Sequence, residues 1–150
     1  MLSVGHLLFR YCGHIPAIMK EHCHCIALRK ASRRLTAIYD AALAPFGVNI
    51  TQFSELRRIR RLQPVSLTDL ANELELDRST VGRNAKVLQR MGMVKTVEAD
   101  DRRESALVLT EKARALLDEA APVWDEVQAR VEGRFESAGL TRLLEGLGQL

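Results

Sequence analysis

Leu28, Ala31, Leu35, Ile38 and Ala42 recur at alternating spacings of three and four residues, the stripe of an amphipathic helix. That helix begins near Cys25 and should stop near Ala44, because Pro45 disfavours helix in the residue before it and Gly47 completes the turn. A second helix, capped by Thr51, carries Phe53, Leu56, Ile59 and Leu62 on one side and ends at Pro64. Ser66 followed by Asp69 is a variant capping box, and it opens a short helix through Leu67, Leu70, Ala71 and Leu74. After a brief turn at Glu75 and Leu76, Asp77 is a good N-cap for a helix running from Arg78 to about Met91. Gly92 closes it as a C-cap residue.

The period then changes. Residues 94–99 and 105–110 are β-prone runs separated by the polar segment 100–104, which predicts a β-hairpin with a charged tip. From Thr110 a long helix follows, with Leu116, Ala120, Val123, Val127, Val131 and Phe135 at nearly heptad spacing. Pro122 should kink that helix or mark a restart. Leu140, Leu143, Leu144 and Leu147 outline a short last helix. The predicted fold class is mainly α with a small β-hairpin. Apolar helices at both ends of the chain, flanking a compact centre, need a cover, and a partner subunit is the economical one.

A chain of 150 residues with 47% hydrophobic residues and 27% charged residues is one ordinary domain with enough apolar surface for a core. Low aromatic content, 5%, argues against an all-β chain. No apolar run is long enough to cross a bilayer, and residues 2–9 lack the preceding basic stretch and the cleavage site of a signal peptide. The net charge of +3 is unevenly spread. Between Arg78 and Thr96 stand five basic residues and no acid, whereas from Glu111 onward eight acids face five bases. A basic middle fits a polyanion-binding face; solvated helix faces would give the same counts.

A short helix, a tight turn and a second helix with polar and basic exposed positions form a helix-turn-helix, and the charged hairpin after it makes the arrangement winged. Val81, Ala85 and Leu88 share one face of the second helix and should pack inward. Arg78, Ser79, Thr80, Arg83 and Asn84 then fall on the side and N-terminal end that enter a major groove. Arg donates twice to a guanine edge, Asn pairs with adenine, and hydroxyls reach phosphates or bases. Lys86 and Arg90 add phosphate contacts, and the hairpin tip offers Arg102 and Arg103 to the adjacent minor groove, whose negative potential attracts arginine.

The run "LTDLANELELDRSTVGRNAKVLQRMGMV" followed by "DDRRESALVLT" resembles the MarR family of bacterial transcriptional regulators. The resemblance covers roughly Cys25 to the C-terminus. It implies an N-terminal extension over residues 1–24 and a MarR-type domain over 25–150. Within that domain, a winged helix-turn-helix would span about 51–110, between dimerisation helices at about 25–46 and 111–150. It further implies a cytoplasmic homodimer on a pseudo-palindromic double-stranded operator, a repressor released by a small phenolic or aromatic effector, with no catalysis, cofactor or membrane. In the family's wing pattern Asp-x-Arg, the matching residues are Asp101, which would hold the wing, and Arg103, which would reach the minor groove. Gly82 departs from the family's usual Thr or Ser and removes one DNA contact; Ala113 departs from its frequent Gly. Aromatics remain open in role: Tyr39, Phe46 and Phe53 suit either core or effector site, and Trp124 suits dimer packing.

His6, Cys12, His14, His22, Cys23, His24 and Cys25 place seven soft or titratable side chains in twenty residues. Three readings stand: reduced thiols and histidines with no role, a redox sensor using Cys23 and Cys25, and a metal site. On a helix Cys23 and Cys25 would diverge by about 200°, and the cluster lacks Cys-x-x-Cys spacing, so no metal ligand set is assigned. A thiol or metal enzyme would need an orienting acid and an oxyanion hole, and no motif for either accompanies the cluster.

Overall fold

In the computed structural model, residues 23–98, 105–135 and 139–149 are described. The chain divides into two compact units, Met1–Thr36 and Ala37–Leu150. The described part of the first unit is the beginning of helix α1 (His24–Leu43), where Leu35 alone is half-buried. Its Ile26 and Leu28 are exposed, at 59% and 37%.

In the second unit α1 ends at the buried Leu43, and a single 3-10 turn, Ala44–Phe46, follows. Gly47 closes that turn at φ 73, a left-handed conformation that costs glycine nothing. Helix α2 (Ile50–Leu62) is capped by Asn49 and not by Thr51. The Asn49 side chain accepts from the Gln52 amide, and the Gln52 side chain accepts in return from the Asn49 amide, a full capping box. Asn49 prevails over Thr51 because Gln52, three residues on, returns the bond to its amide, whereas Thr51 has Ser54 at that position. The Asp40 carboxylate then accepts from the Ile50 amide at 2.7 Å and satisfies another of the donors at this helix start.

Helices α3 (Leu67–Leu74) and α4 (Arg78–Arg90) start at the Ser66 and Asp77 caps. Glu75 takes a left-handed φ of 52 between them, and Gly92 at φ 71 ends α4. Strands β2 (Val94–Glu98) and β3 (Ser105–Leu109) pair antiparallel with Val94 opposite Leu109 and Glu98 opposite Ser105. The predicted hairpin is in fact the larger part of a three-stranded sheet, order β1-β3-β2, because β1 (Val65–Ser66) pairs with the far side of β3. The Gln63 side chain accepts from the Leu109 amide at 2.9 Å and ties the end of α2 to this sheet.

Helix α5 (Glu111–Glu132) runs through Pro122 without a restart. A proline inside a helix costs about 3 kcal/mol, and here Leu117 and Ala120 before it and Val127 and Val131 after it are buried, so packing on both sides holds the helix together. Helix α6 (Gly139–Gly148) carries no buried residue, and Leu143, Leu144 and Leu147 are exposed. The core gathers Leu43, Phe53, Leu56 and Ile59 with Leu70, Val81, Leu88, Leu109 and Leu117. No helix among the described residues is long and apolar enough to cross a membrane.

Candidate nucleic-acid interface

Helix α4 is held from beneath by Val81, Ala85 and Leu88, all buried, so its opposite face is fixed in space and open. Arg78, Ser79, Arg83, Lys86 and Arg90 are exposed on that face and its flanks, and Thr80 and Asn84 are half-buried. Gln89 donates to the Thr96 hydroxyl at 2.8 Å and links α4 to β2. A cleft of about 460 Å³ between α4 and the sheet is lined by Arg78, Arg83 and Lys86 together with Thr96 and Ser105.

The N-terminal turn of α4 is prearranged around Asp77. Its carboxylate accepts from the Thr80 amide at 2.9 Å, from the Ser79 hydroxyl at 2.5 Å and from the Thr80 hydroxyl at 2.6 Å. These bonds, with the nearby Arg83 charge, hold the Asp77 carboxyl well below the usual carboxylate range. Its contribution to stability is therefore present at neutral pH and is lost only as strong acid protonates it. Arg83 lies back along the helix, donating to the Thr80 hydroxyl at 2.9 Å and to the Ser79 hydroxyl at 3.4 Å. Ser79, Thr80 and Arg83 therefore form one network, which the sequence pattern treats as three separate contacts. Gly82 leaves open space where a Cβ would stand, so no packing demands glycine there.

Glu55 of α2 is only 2% exposed, and its Oε1 has no hydrogen-bond partner among the described residues. Sequence patterning passes over Glu55 because it sits between Ser54 and Leu56 on a helix rich in charge.

Asp101, Arg102 and Arg103, the wing-tip residues, lie outside the described residues, as does Cys12. Cys23 and Cys25 are free, exposed thiols at the start of α1, and the Cys23 carbonyl accepts from the Ala27 amide at 3.0 Å. Among the described residues no group of three or more His, Cys, Asp or Glu side chains gathers as a metal site.

A second cavity lies apart from α4. It measures about 560 Å³ and is lined by Phe53, Ser54, Arg57, Arg58 and Trp124. Trp124 packs against its own chain, its ring 6.4 Å from those of both Tyr39 and Phe53. The Arg57 guanidinium rests over the Trp124 ring at 4.1 Å, a cation–π contact. Arg58 and Arg61 pair with Glu73, and Arg60 pairs with Asp118. Tyr39 donates to Gln128 at 2.6 Å and braces α1 against α5 beside this cavity.

The MarR family model matches residues 48–105. The chain is 36% identical to the Mycobacterium tuberculosis transcriptional regulator MosR, solved in complex with DNA, over 85% of this chain and 95% of that one, with a TM-score of 0.75. It is 28% identical to YwoH, an uncharacterised HTH-type transcriptional regulator of Bacillus subtilis, over 61% of this chain and 67% of that protein. A mutant MarR of Escherichia coli complexed with operator DNA superposes with a TM-score of 0.78 over 90% of this chain and 98% of that one. At 15% identity that last likeness speaks for the fold alone.

Proposed function

The chain belongs to the MarR family of DNA-binding transcriptional regulators, and on that footing we propose that it is a cytoplasmic, homodimeric repressor released from its operator by a small aromatic acid. The observation that carries the DNA-reading half is α4: a helix fixed by three buried residues, with Arg78, Arg83, Lys86 and Arg90 exposed and free of acids along its length. One α4 per protomer, set by a two-fold axis, suits successive major grooves of a pseudo-palindromic site. The dimer is supported by the apolar residues left exposed on α1 and α6, among them Ile38, Leu144 and Leu147, which a second copy would cover. The residues along α4 suit binding and positioning, not catalysis.

The effector reading rests on the second cavity. Trp124 and Phe53 line it with apolar surface, and the Arg57 guanidinium over the Trp124 ring supplies a cation. A planar carboxylic acid matches both. Binding there would favour a dimer whose two α4 helices no longer fit the operator. A second reading is supported by Cys23 and Cys25, which are exposed together at the start of α1: oxidation of either thiol would add polarity at a helix that the dimer must bury.

One binding assay separates the two. Fluorescence anisotropy on an operator duplex should show release by aromatic carboxylates such as salicylate, and Arg57→Ala should need about tenfold more acid, or ~1.4 kcal/mol. Release by peroxide, reversed by thiol and absent in Cys25→Ser, would transfer the switch to the cysteines. Indifference of the wild type to every aromatic acid would remove the effector reading.

A further inference from the structure

Helix α4 ends in a turn that satisfies its own amides. The Met93 amide donates to the Leu88 carbonyl and the Gly92 amide to the Gln89 carbonyl, both at 2.9 Å. Gly92 stands at φ 71, so the turn has the Schellman form, with glycine in the left-handed position. The next three carbonyls, those of Met91, Gly92 and Met93, each accept a bond from the start of α5.

The Lys112 ammonium donates to the Met91 carbonyl at 2.9 Å. The Thr110 hydroxyl donates to the Gly92 carbonyl at 2.8 Å and lies 3.2 Å from that of Met93, to which the Thr110 amide donates at 3.0 Å. The same hydroxyl oxygen accepts from the Ala113 amide at 3.3 Å, as the N-cap of α5. One side chain therefore caps the start of α5 and holds the end of α4. The Lys112 charge stands at the C-terminal end of α4, where the helix dipole favours a cation. From α2, the Gln52 side chain donates to the Met91 sulfur at 3.6 Å. A cavity of about 550 Å³ lies beside this seam, lined by Phe46, Met91, Met93, Lys112 and Leu116, so on that side the bonds are not backed by close packing.

Val81, Ala85 and Leu88 decide which face of α4 is buried, but a helix held along one stripe can still pivot about it. The seam removes that freedom at the C-terminal end, and it does so from α5. Base reading tolerates little pivot, because hydrogen bonds weaken steeply once their angle falls toward about 120°. Phosphate contacts carry no sequence information and are less affected. We propose that Thr110 and Lys112 are positioning residues, which tie the orientation of the recognition helix to α5 through the carbonyls of Met91, Gly92 and Met93. The proposal rests on α4 being the helix that reads DNA.

The test uses the full-length protein and variants that separate the two roles of Thr110. Thr110→Ser keeps the hydroxyl, and Thr110→Val removes it without adding charge. Thr110→Asp keeps a good N-cap but, ionised, has no proton to give the Gly92 carbonyl. Lys112→Met keeps the apolar stem and loses the ammonium. In NMR spectra without DNA, the amide resonances of Ser79 to Arg83 should shift in Thr110→Asp, Thr110→Val and Lys112→Met, and should match the wild type in Thr110→Ser. Those residues lie more than about 12 Å along the helix from Gly92, beyond the reach of a local disturbance. On DNA, the three shifted variants should bind the operator about three- to tenfold more weakly, the size of one lost hydrogen bond. Their affinity for a random duplex of the same length should stay close to that of the wild type, and Thr110→Ser should restore operator affinity. Resonances of Ser79 to Arg83 that ignore Thr110→Asp and Lys112→Met would overturn the inference. So would a salt slope lower by about 0.9 per protomer in Lys112→Met, which would make Lys112 a phosphate contact. Shifted resonances with operator preference unchanged would instead overturn the premise that α4 reads DNA, and the inference with it.

Discussion

Phe53→Ala lowers stability by about 3–5 kcal/mol, the range for emptying a buried aromatic site. Phe53 is 1% exposed and stands among Leu43, Leu56 and the aromatic ring of Trp124. Its removal leaves a void that α2 cannot close, because the Asn49 capping box at one end and the Gln63 bond to β3 at the other pin that helix. For a chain of this size the loss corresponds to a fall in Tm of roughly 6–20 °C, at about 2–4 °C per kcal/mol. Thermal melts at fixed protein concentration check this, since a dimer's Tm depends on concentration. Phe53→Leu keeps most of the volume and should cost less than about 1.5 kcal/mol. A loss below 1 kcal/mol for the alanine variant would mean that Phe53 lies outside the folding core.

Operator binding weakens by about three to five orders of magnitude when salt rises from roughly 50 to 200 mM. Each phosphate neutralised contributes about 0.9 to the slope of log affinity against log salt, and a protein making 6–10 phosphate contacts shows that loss. Arg78, Lys86 and Arg90 are exposed on α4, and a dimer doubles them; Arg102 and Arg103 add to the count in the proposed wing. Anisotropy titrations across a salt series read the slope directly. Lys86→Ala should lower its magnitude by about two units, one per protomer, with sequence preference kept. A slope near zero would contradict any phosphate-binding role for this face.

Much of the DNA-facing lobe was readable from the sequence because its boundaries are chemical and local. Ser66, Asp77 and Gly92 each impose a cap or a left-handed turn within a few residues of where they stand. Other features depended on long-range packing. The pair Val65–Ser66 is too short to show a period of two, so β1 becomes visible only once β3 lies beside it. Thr51 and Asn49 are both competent caps by type, and the reciprocal Gln52 bond decides between them. Pro122 signals a break in isolation, and buried neighbours on both sides override it. In the site, residue types along α4 pointed to DNA. The Asp77–Thr80–Arg83 network and the burial of Glu55 were not readable, because each depends on side-chain direction.

The account stands or falls on whether α4 reads bases. The direct measurement is the affinity of wild type and Arg83→Ala for the operator and for a panel of its single-base variants, at one salt concentration. Arg83 leaves its Thr80 and Ser79 partners to reach a base edge in this account, so the substitution should cost about 1–3 kcal/mol on the operator and flatten the preference at one position per half-site. Equal weakening on every sequence in the panel would reduce Arg83 to a phosphate contact and contradict base reading at that residue.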